Sequence, residues 1–380
     1  HFGGGSPASY TTRASVTTNI INMSGRSYVD IIQLSFDQSN AEAIKISSSS
    51  HLYLLWNQIN NAGTHGIYVS SSSDIDFVGN TVNNSNGNGI DYNATTVSDI
   101  TYNAVNNTAL LTGMGLNGTS KSVGINDHGG GSGNNILFNR VENTGYIGIL
   151  FGGNNETVSK NFVKNYTITK DDGGGIYTWT GTGNPDNTGR VVEYNTILDG
   201  VGAPLGTNSS ANKSSYGLYL DDKTGYVTAR YNNIARCTGD GIYFHMAHHI
   251  TCSNNTIFDC SSQFNFGEDQ SCCLVRSNTV SNNIAVAKTT SQLAATFTSY
   301  TNDISSFGTF SNNYYARPLD DKLSIYSTYP TNTQEQDLSM WQAFSGLDGT
   351  SNKSPLKYYP YTVTAFGAER FTNGSFDAAS

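Results

Sequence analysis

The chain has 380 residues, 40 of them Gly, with only 13% charged residues and a formal net charge of -9. So little charge beside so much Gly, Asn, Ser and Thr excludes an ordinary disordered chain and fits many short strands joined by tight turns. The acidic balance argues against a nucleic-acid partner, and against a strongly anionic polysaccharide unless a cation helps; no apolar run is long enough to cross a membrane as a helix.

The chain begins at His1 rather than Met. A signal peptide or upstream segment is therefore expected to have been removed, with a secreted, periplasmic or cell-surface location. Residues 1–44 read as irregular first coils or a cap. From 45 to 314 one pattern recurs: Asn, any residue, then Ile or Val. It stands at Asn57, Asn80, Asn103, Asn139, Asn161, Asn195, Asn232, Asn255 and Asn278, with spacings of 23, 23, 36, 22, 34, 37, 23 and 23. At about 3.3 Å per residue such a period makes three short strands and three turns, which bury an apolar face only by stacking. Asn suits the left-handed turn conformation, and its amide can bond the Asn of the next coil. These features predict an all-β fold, a right-handed parallel β-helix with coils of about 23 residues. The tail 315–380, with Pro318, Pro330, Pro355 and Pro360 and a short helix near Gln334–Phe344, reads as a C-terminal cap that hides the last strand edges. Cys237, Cys252, Cys260, Cys272 and Cys273 form no metal-binding pattern; they read as small core hydrophobes, with room for one disulfide.

A second motif follows in most coils, as in Gly148-Ile-Leu-Phe151, Gly175-Ile-Tyr-Thr178, Gly217-Leu-Tyr-Leu220 and Gly241-Ile-Tyr-Phe244. Side chains alternate along a strand, so an inward aliphatic residue sends the next one outward. Stacking the coils predicts an outward column of Tyr177, Tyr219 and Tyr243, and beside it Gly152, Trp179, Asp221 and His245.

The three long spacings hold nearly all the chemical groups: His128 in the first, Lys170-Asp171-Asp172 in the second, and Tyr219-Leu-Asp221-Asp222-Lys223 at the end of the third. Insertions in a solenoid become loops around its binding face. Cleaving a glycosidic bond takes two carboxyl groups, one to give a proton and one to attack or to activate water. Asp172, Asp221 and Asp222 are the catalytic candidates. Asp171, His128, Tyr177, Trp179, Tyr219, Tyr243 and His245 are the substrate-binding candidates, with aromatic faces suited to sugar rings. An Asp before glycines is equally at home bonding its own backbone in a turn, and stacked Tyr stabilise a sheet whatever its function. Glu268 is a weaker third carboxylate. The Asn-x-Ser/Thr sequons, such as those at Asn117 and Asn208, follow from Asn-rich turns.

Asp171-Asp172-Gly-Gly-Gly-Ile-Tyr-Thr-Trp179 and Tyr216-Gly-Leu-Tyr-Leu-Asp221-Asp222 resemble paired motifs of bacterial right-handed β-helix glycoside hydrolases, family 141 among them. The likeness covers residues 45–285 at the level of fold and about 25 residues at the level of motif. It implies an acid pair of Asp172 and Asp221 in matching positions. Asp222 stands where that family often has Glu. The polygalacturonase order of motifs is absent.

The leading expectation is a hydrolase of a neutral or weakly charged polysaccharide or oligosaccharide that needs no cofactor. A polysaccharide lyase would instead take a base from Lys170, Lys223 or Arg230, with Ca²⁺ held by the Asp pairs. A non-catalytic carbohydrate-binding solenoid, of adhesin or tailspike type, would use the long coils only for recognition.

Overall fold

The computed structural model describes residues 15–353 apart from 129, 207–213 and 319. Each coil gives one strand to each of three long sheets, as in Ile67–Ser70, Ser73–Val78 and Thr81–Asn83. Among the described residues, all pairings between coils are parallel, and the lone antiparallel pair lies at the C-terminal end. The result is a right-handed parallel β-helix, the hand that parallel crossovers take.

Register is fixed by what must be buried. Ile44, Ile67, Ile90, Ile125, Ile149, Ile176, Leu218 and Ile242 stack as one inward column of the first sheet, all fully buried. Each such side chain is worth about 2 kcal/mol of burial, and a slip of one residue would expose the whole column.

The repeated Asn forms a second interior column. Asn57 Nδ2 donates to Asn80 Oδ1 at 2.9 Å, Asn80 to Asn103 at 3.0 Å, and the chain of amides runs on through Asn139, Asn161, Asn195, Asn232 and Asn255. The left-handed residue is the one before it, as at Trp56 (φ 53°) and Tyr194 (φ 55°). The expected left-handed Asn is thereby corrected: the ladder needs the Asn side chain turned inward, and its predecessor makes the bend.

One repeat is also corrected. Asn255 bonds Asn283, 28 residues on, and not Asn278. Asn278 begins the second-sheet strand Asn278–Ser281 and accepts from the backbone of Ile250. A fourth long coil therefore exists, its extra residues lying in the loop after the strand Ser262–Gly267. Asn278-Thr279-Val280 matched the 23-residue spacing by coincidence.

The ends differ from expectation as well. Strands begin at Ile21–Ser24, which pairs in register with Ile44–Ser47, so the coils start well before residue 45. Leu34 holds the ladder position in that coil, and its backbone N–H donates to Asn57 Oδ1 at 3.0 Å. Past 314, Tyr314–Ala316 and Ile325–Tyr329 still add to the sheets. The closing elements are the antiparallel strand Asn332–Gln336, the helix Leu338–Ser345 and the strand Asn352–Lys353. Asp337 caps the helix by accepting from Met340 N, and Gly346 ends it with φ 72°. Trp341, fully buried, stacks on Phe297 at 4.0 Å and donates to Asp348 Oδ2 at 3.0 Å. Asp348 also accepts from Asn313 Nδ2 at 3.2 Å, so the cap satisfies the last amide of the ladder. Pro355, Pro360 and the Asn208 sequon lie outside the described residues.

Candidate functional site

The outward columns form in the expected register: Tyr177 pairs with Tyr219, Tyr219 with Tyr243, and Trp179 with Asp221. His245 follows Asp221 one coil on, because Leu220 pairs with Phe244. The two Asp pairs lie at opposite ends of their strands. Asp172 precedes Gly173–Trp179, and Asp221 ends Ser215–Asp221, so the expected matching positions are corrected. They meet because the Tyr219 side chain bridges the width of the sheet. Its hydroxyl lies 3.5 Å from Asp172 Oδ1 and is close enough to Asp221 to help lower that carboxyl.

Asp172 has a left-handed backbone (φ 58°), a conformation Asp tolerates better than most residues. The Tyr146 hydroxyl fixes it by donating to its carbonyl at 2.7 Å, and its N–H donates to Ser214 O at 2.7 Å. The glycine that follows is required: a Cβ on Gly173 would lie 2.6 Å from the Tyr146 ring. Asp172 is an exposed residue, yet partial burial of its carboxyl and then the charge of Asp221 hold it above its ordinary range. No hydrogen bond from Asp171 is seen; its negative charge adds to the same push.

Asp221 is the opposite case. Burial works to raise its pKa, but the hydrogen bonds of His245 and Tyr177 outweigh burial and hold it below the usual carboxylate range. Tyr177 OH donates to Oδ2 at 2.7 Å, His245 Nδ1 lies 2.6 Å from Oδ1, and Asp222 N donates to Oδ1 at 2.8 Å. Thr224, fully buried, ties the turn by donating to the carbonyls of Asp221 at 2.6 Å and Thr178 at 3.1 Å. His245 is raised: burial disfavours its charge, but the bond to Asp221 and the charges of Asp221, Asp269 and Asp222 prevail. Its Nδ1 lies 3.3 Å from Asp222 Oδ1, and its Nε2 lies 3.3 Å from Asp269 Oδ2. The Asp222 carboxyl is raised by partial burial and by Asp221.

Asp221, Asp222 and His245 bring one ligand atom each within 4.8 Å of one another. Calcium takes six to eight oxygens, so this set, with an imidazole as its third member, does not fit it. The acids around His245 favour its protonated form instead.

Three assignments change. Tyr177 and Tyr219 are each only 3% exposed, covered by one another at 5.1 Å and by Val123, Tyr146 and Ile147. They offer hydroxyls, not ring faces. Tyr243 is partly covered, stacked at 5.1 Å on Tyr219 and at 5.2 Å on His245. His128 shares the outer column but lies three coils before Asp221, roughly 14 Å away at about 4.8 Å per coil. It faces a separate cluster, with Nε2 3.4 Å from Asp91 Oδ1 beside His65 and Lys121. Trp179 is the aromatic that stays open, 41% exposed, next to Asp221 and after Gly152 in its column. Asp269 was missed, because it lies in the fourth long coil.

Residues 9–137 match the family model described as the right-handed β-helix region. No curated protein matches the chain in sequence. Among solved structures, the Dettilon tailspike protein is 14% identical with a TM-score of 0.47, over 82% of this chain and 61% of its own. The tailspike of E. coli bacteriophage HK620, in complex with a pentasaccharide, is 12% identical with a TM-score of 0.46, over 83% of this chain and 54% of its own. The A-module of the Azotobacter vinelandii mannuronan C-5 epimerase AlgE4 is 11% identical with a TM-score of 0.47, over 89% of this chain and 91% of its own. The chain thus spans less than two thirds of either tailspike.

Proposed function

We propose that this is an extracytoplasmic glycoside hydrolase of the family 141 type, acting on a neutral or weakly charged saccharide. The carrying observation is the split between two carboxyls that converge on the Tyr219 hydroxyl: Asp172 held toward its protonated form and Asp221 toward its ionised form. Divergent environments of this kind assign acid and base. Asp172 gives the proton to the leaving oxygen. Asp221 attacks the anomeric carbon or activates the water that does so. His245 and Tyr177 keep Asp221 ionised, and Trp179 supports a sugar ring.

The lyase reading finds less support, since its candidate bases are engaged elsewhere. Lys170 Nζ donates to Leu116 O at 2.6 Å, Lys223 Nζ to Asn184 O at 2.7 Å, and Arg230 Nε to Glu193 Oε2 at 2.7 Å. The test is product analysis on neutral and uronic polysaccharides with wild type, Asp172→Asn and Asp221→Asn. Saturated reducing sugars, lost in both variants, are expected. Unsaturated products, or variants as active as wild type, would sink the proposal.

Two further results are expected. The pH profile of kcat/KM rises as Asp221 ionises, below the ordinary carboxylate value of about 3.9, and falls as Asp172 deprotonates, above it. The optimum is expected between the two titrations. With an aryl glycoside whose leaving group needs no acid, the falling limb disappears in Asp172→Asn; a limb that persists would rule out Asp172 as the donor. Trp179→Ala raises KM roughly tenfold with little change in kcat, the loss of about 1.4 kcal/mol of stacking. An unchanged KM would mean that Trp179 merely packs on its own loop.

A further inference from the structure

The fourth long coil carries adjacent thiols that the hydrolytic chemistry does not use. Cys272 is exposed and Cys273 is buried, and their Sγ atoms lie 2.8 Å apart. Successive side chains of an extended chain point to opposite faces, so only the turn at this point brings both sulfurs to one side. The loop is pinned at its ends by Glu268, which accepts from Val275 N at 2.8 Å and Tyr300 N at 2.9 Å and pairs with Arg276 Nη1 at 2.8 Å. Cys237, Cys252 and Cys260, by contrast, are buried in the solenoid core.

The geometry points to a modification site: Cys272 and Cys273 close into a disulfide between neighbours in sequence, on the rim of the candidate site. Asp269 of the same loop reaches His245, and the charges of Lys223 and Asp222 act on Cys273. The oxidant is a small disulfide such as oxidised glutathione. The exposed Cys272 thiolate attacks one of its sulfurs and expels a thiolate. The Cys273 thiolate then attacks the Cys272 sulfur and expels the second thiolate. The two thiol protons pass to the expelled thiolates, two electrons pass to the oxidant, and one S–S bond has formed. Neighbouring Cα atoms are about 3.8 Å apart, under the usual lower limit of about 4.4 Å for bridged cysteines, so the ring is strained and readily reduced. Closure restricts the loop and holds Asp269 beside His245; reduction releases it.

The experiment uses the full chain incubated with oxidised glutathione, then alkylated with N-ethylmaleimide and cut by chymotrypsin. Cleavage after Phe266 and Leu274 separates this pair from the other three cysteines. The expected peptide has lost two hydrogens, resists alkylation, and takes two alkyl groups once reduced by a phosphine. In Cys273→Ser the bond cannot close, and Cys272 is expected to keep one glutathione. A wild-type peptide that still takes two alkyl groups, or that retains glutathione, would overturn the proposal. This readout is independent of activity and holds even if the hydrolase reading fails.

Discussion

Asp221→Asn is expected to lower kcat/KM by about 10³-fold or more, the scale of a lost nucleophile or base. Asn keeps the shape, so the variant should fold. It can no longer pair as a carboxylate with His245 or attack the substrate. Asp172→Asn is expected to lose a comparable factor on natural saccharides, yet to retain most of its activity on an aryl glycoside with a good leaving group. The two variants therefore separate the roles, because proton donation matters only when the leaving group is poor. Steady-state kinetics on both substrate classes decide it. Equal losses on both classes for both variants would leave a single shared role, such as structural support of the Tyr219 hydroxyl, and the acid–base assignment would fall. In Asp221→Asn the His245 titration, followed by NMR, should also move down, because the hydrogen bond and charge of Asp221, the largest of those that raise it, are gone. The sign follows from linkage. A His raised by a partner contributes stability at low pH that is lost as pH rises through its folded value, and Asp221, being lowered, loses its contribution as pH falls through its own. The pair is therefore firmest between those two values.

What the sequence conveyed depended on which interaction wrote the pattern. The Gly–aliphatic motif and the Asn repeat record contacts made in every coil, so they are legible as period, register and outward columns. Asn278 misled because spacing alone cannot tell a ladder amide from the first residue of the next sheet's strand. That misreading hid the fourth insertion, and with it Asp269 and the setting of Cys272 and Cys273. Alternation placed Tyr177 and Tyr219 outward but said nothing of what lies on them. Tyr146 comes from the segment before the strand of its own coil, and Tyr216 from the start of Tyr219's own strand, and both pack against them. His128 was legible only as a group of the first long spacing, and a spacing gives neither column nor proximity. The meeting of Asp172 with Asp221 was legible only as two acidic strings; the bridging Tyr219 hydroxyl is a tertiary fact.

Asn195→Ala is expected to cost about 3 kcal/mol or more. Asn195 Oδ1 accepts from both the N–H and the Nδ2 of Asn161, at 2.9 and 3.0 Å, and its own Nδ2 donates to Val158 O at 2.9 Å and to Asn232 Oδ1 at 3.0 Å. All these groups are buried, so Ala leaves the Asn161 N–H and the Val158 carbonyl without partners, each costing about 1–3 kcal/mol. Asn83 is the control. It donates to Asn60 Oδ1 at 3.1 Å on the partly exposed outer face of the third sheet, and water can replace that bond. Asn83→Ala should cost less than about 1 kcal/mol. Urea unfolding of the two variants measures the difference through the midpoint and slope. Equal shifts would mean that the interior amides act only as spacers. The loss at Asn195 should also reach the site, because this residue ties the coil bearing Trp179 to the coil bearing Asp221. In a solenoid each coil is held only by its neighbours, so a weakened junction there loosens the distance between Asp172 and Asp221 before it loosens the ends. Asn195→Ala should therefore lose activity at urea concentrations where its overall strand content is still intact, whereas Asn83→Ala should lose both together.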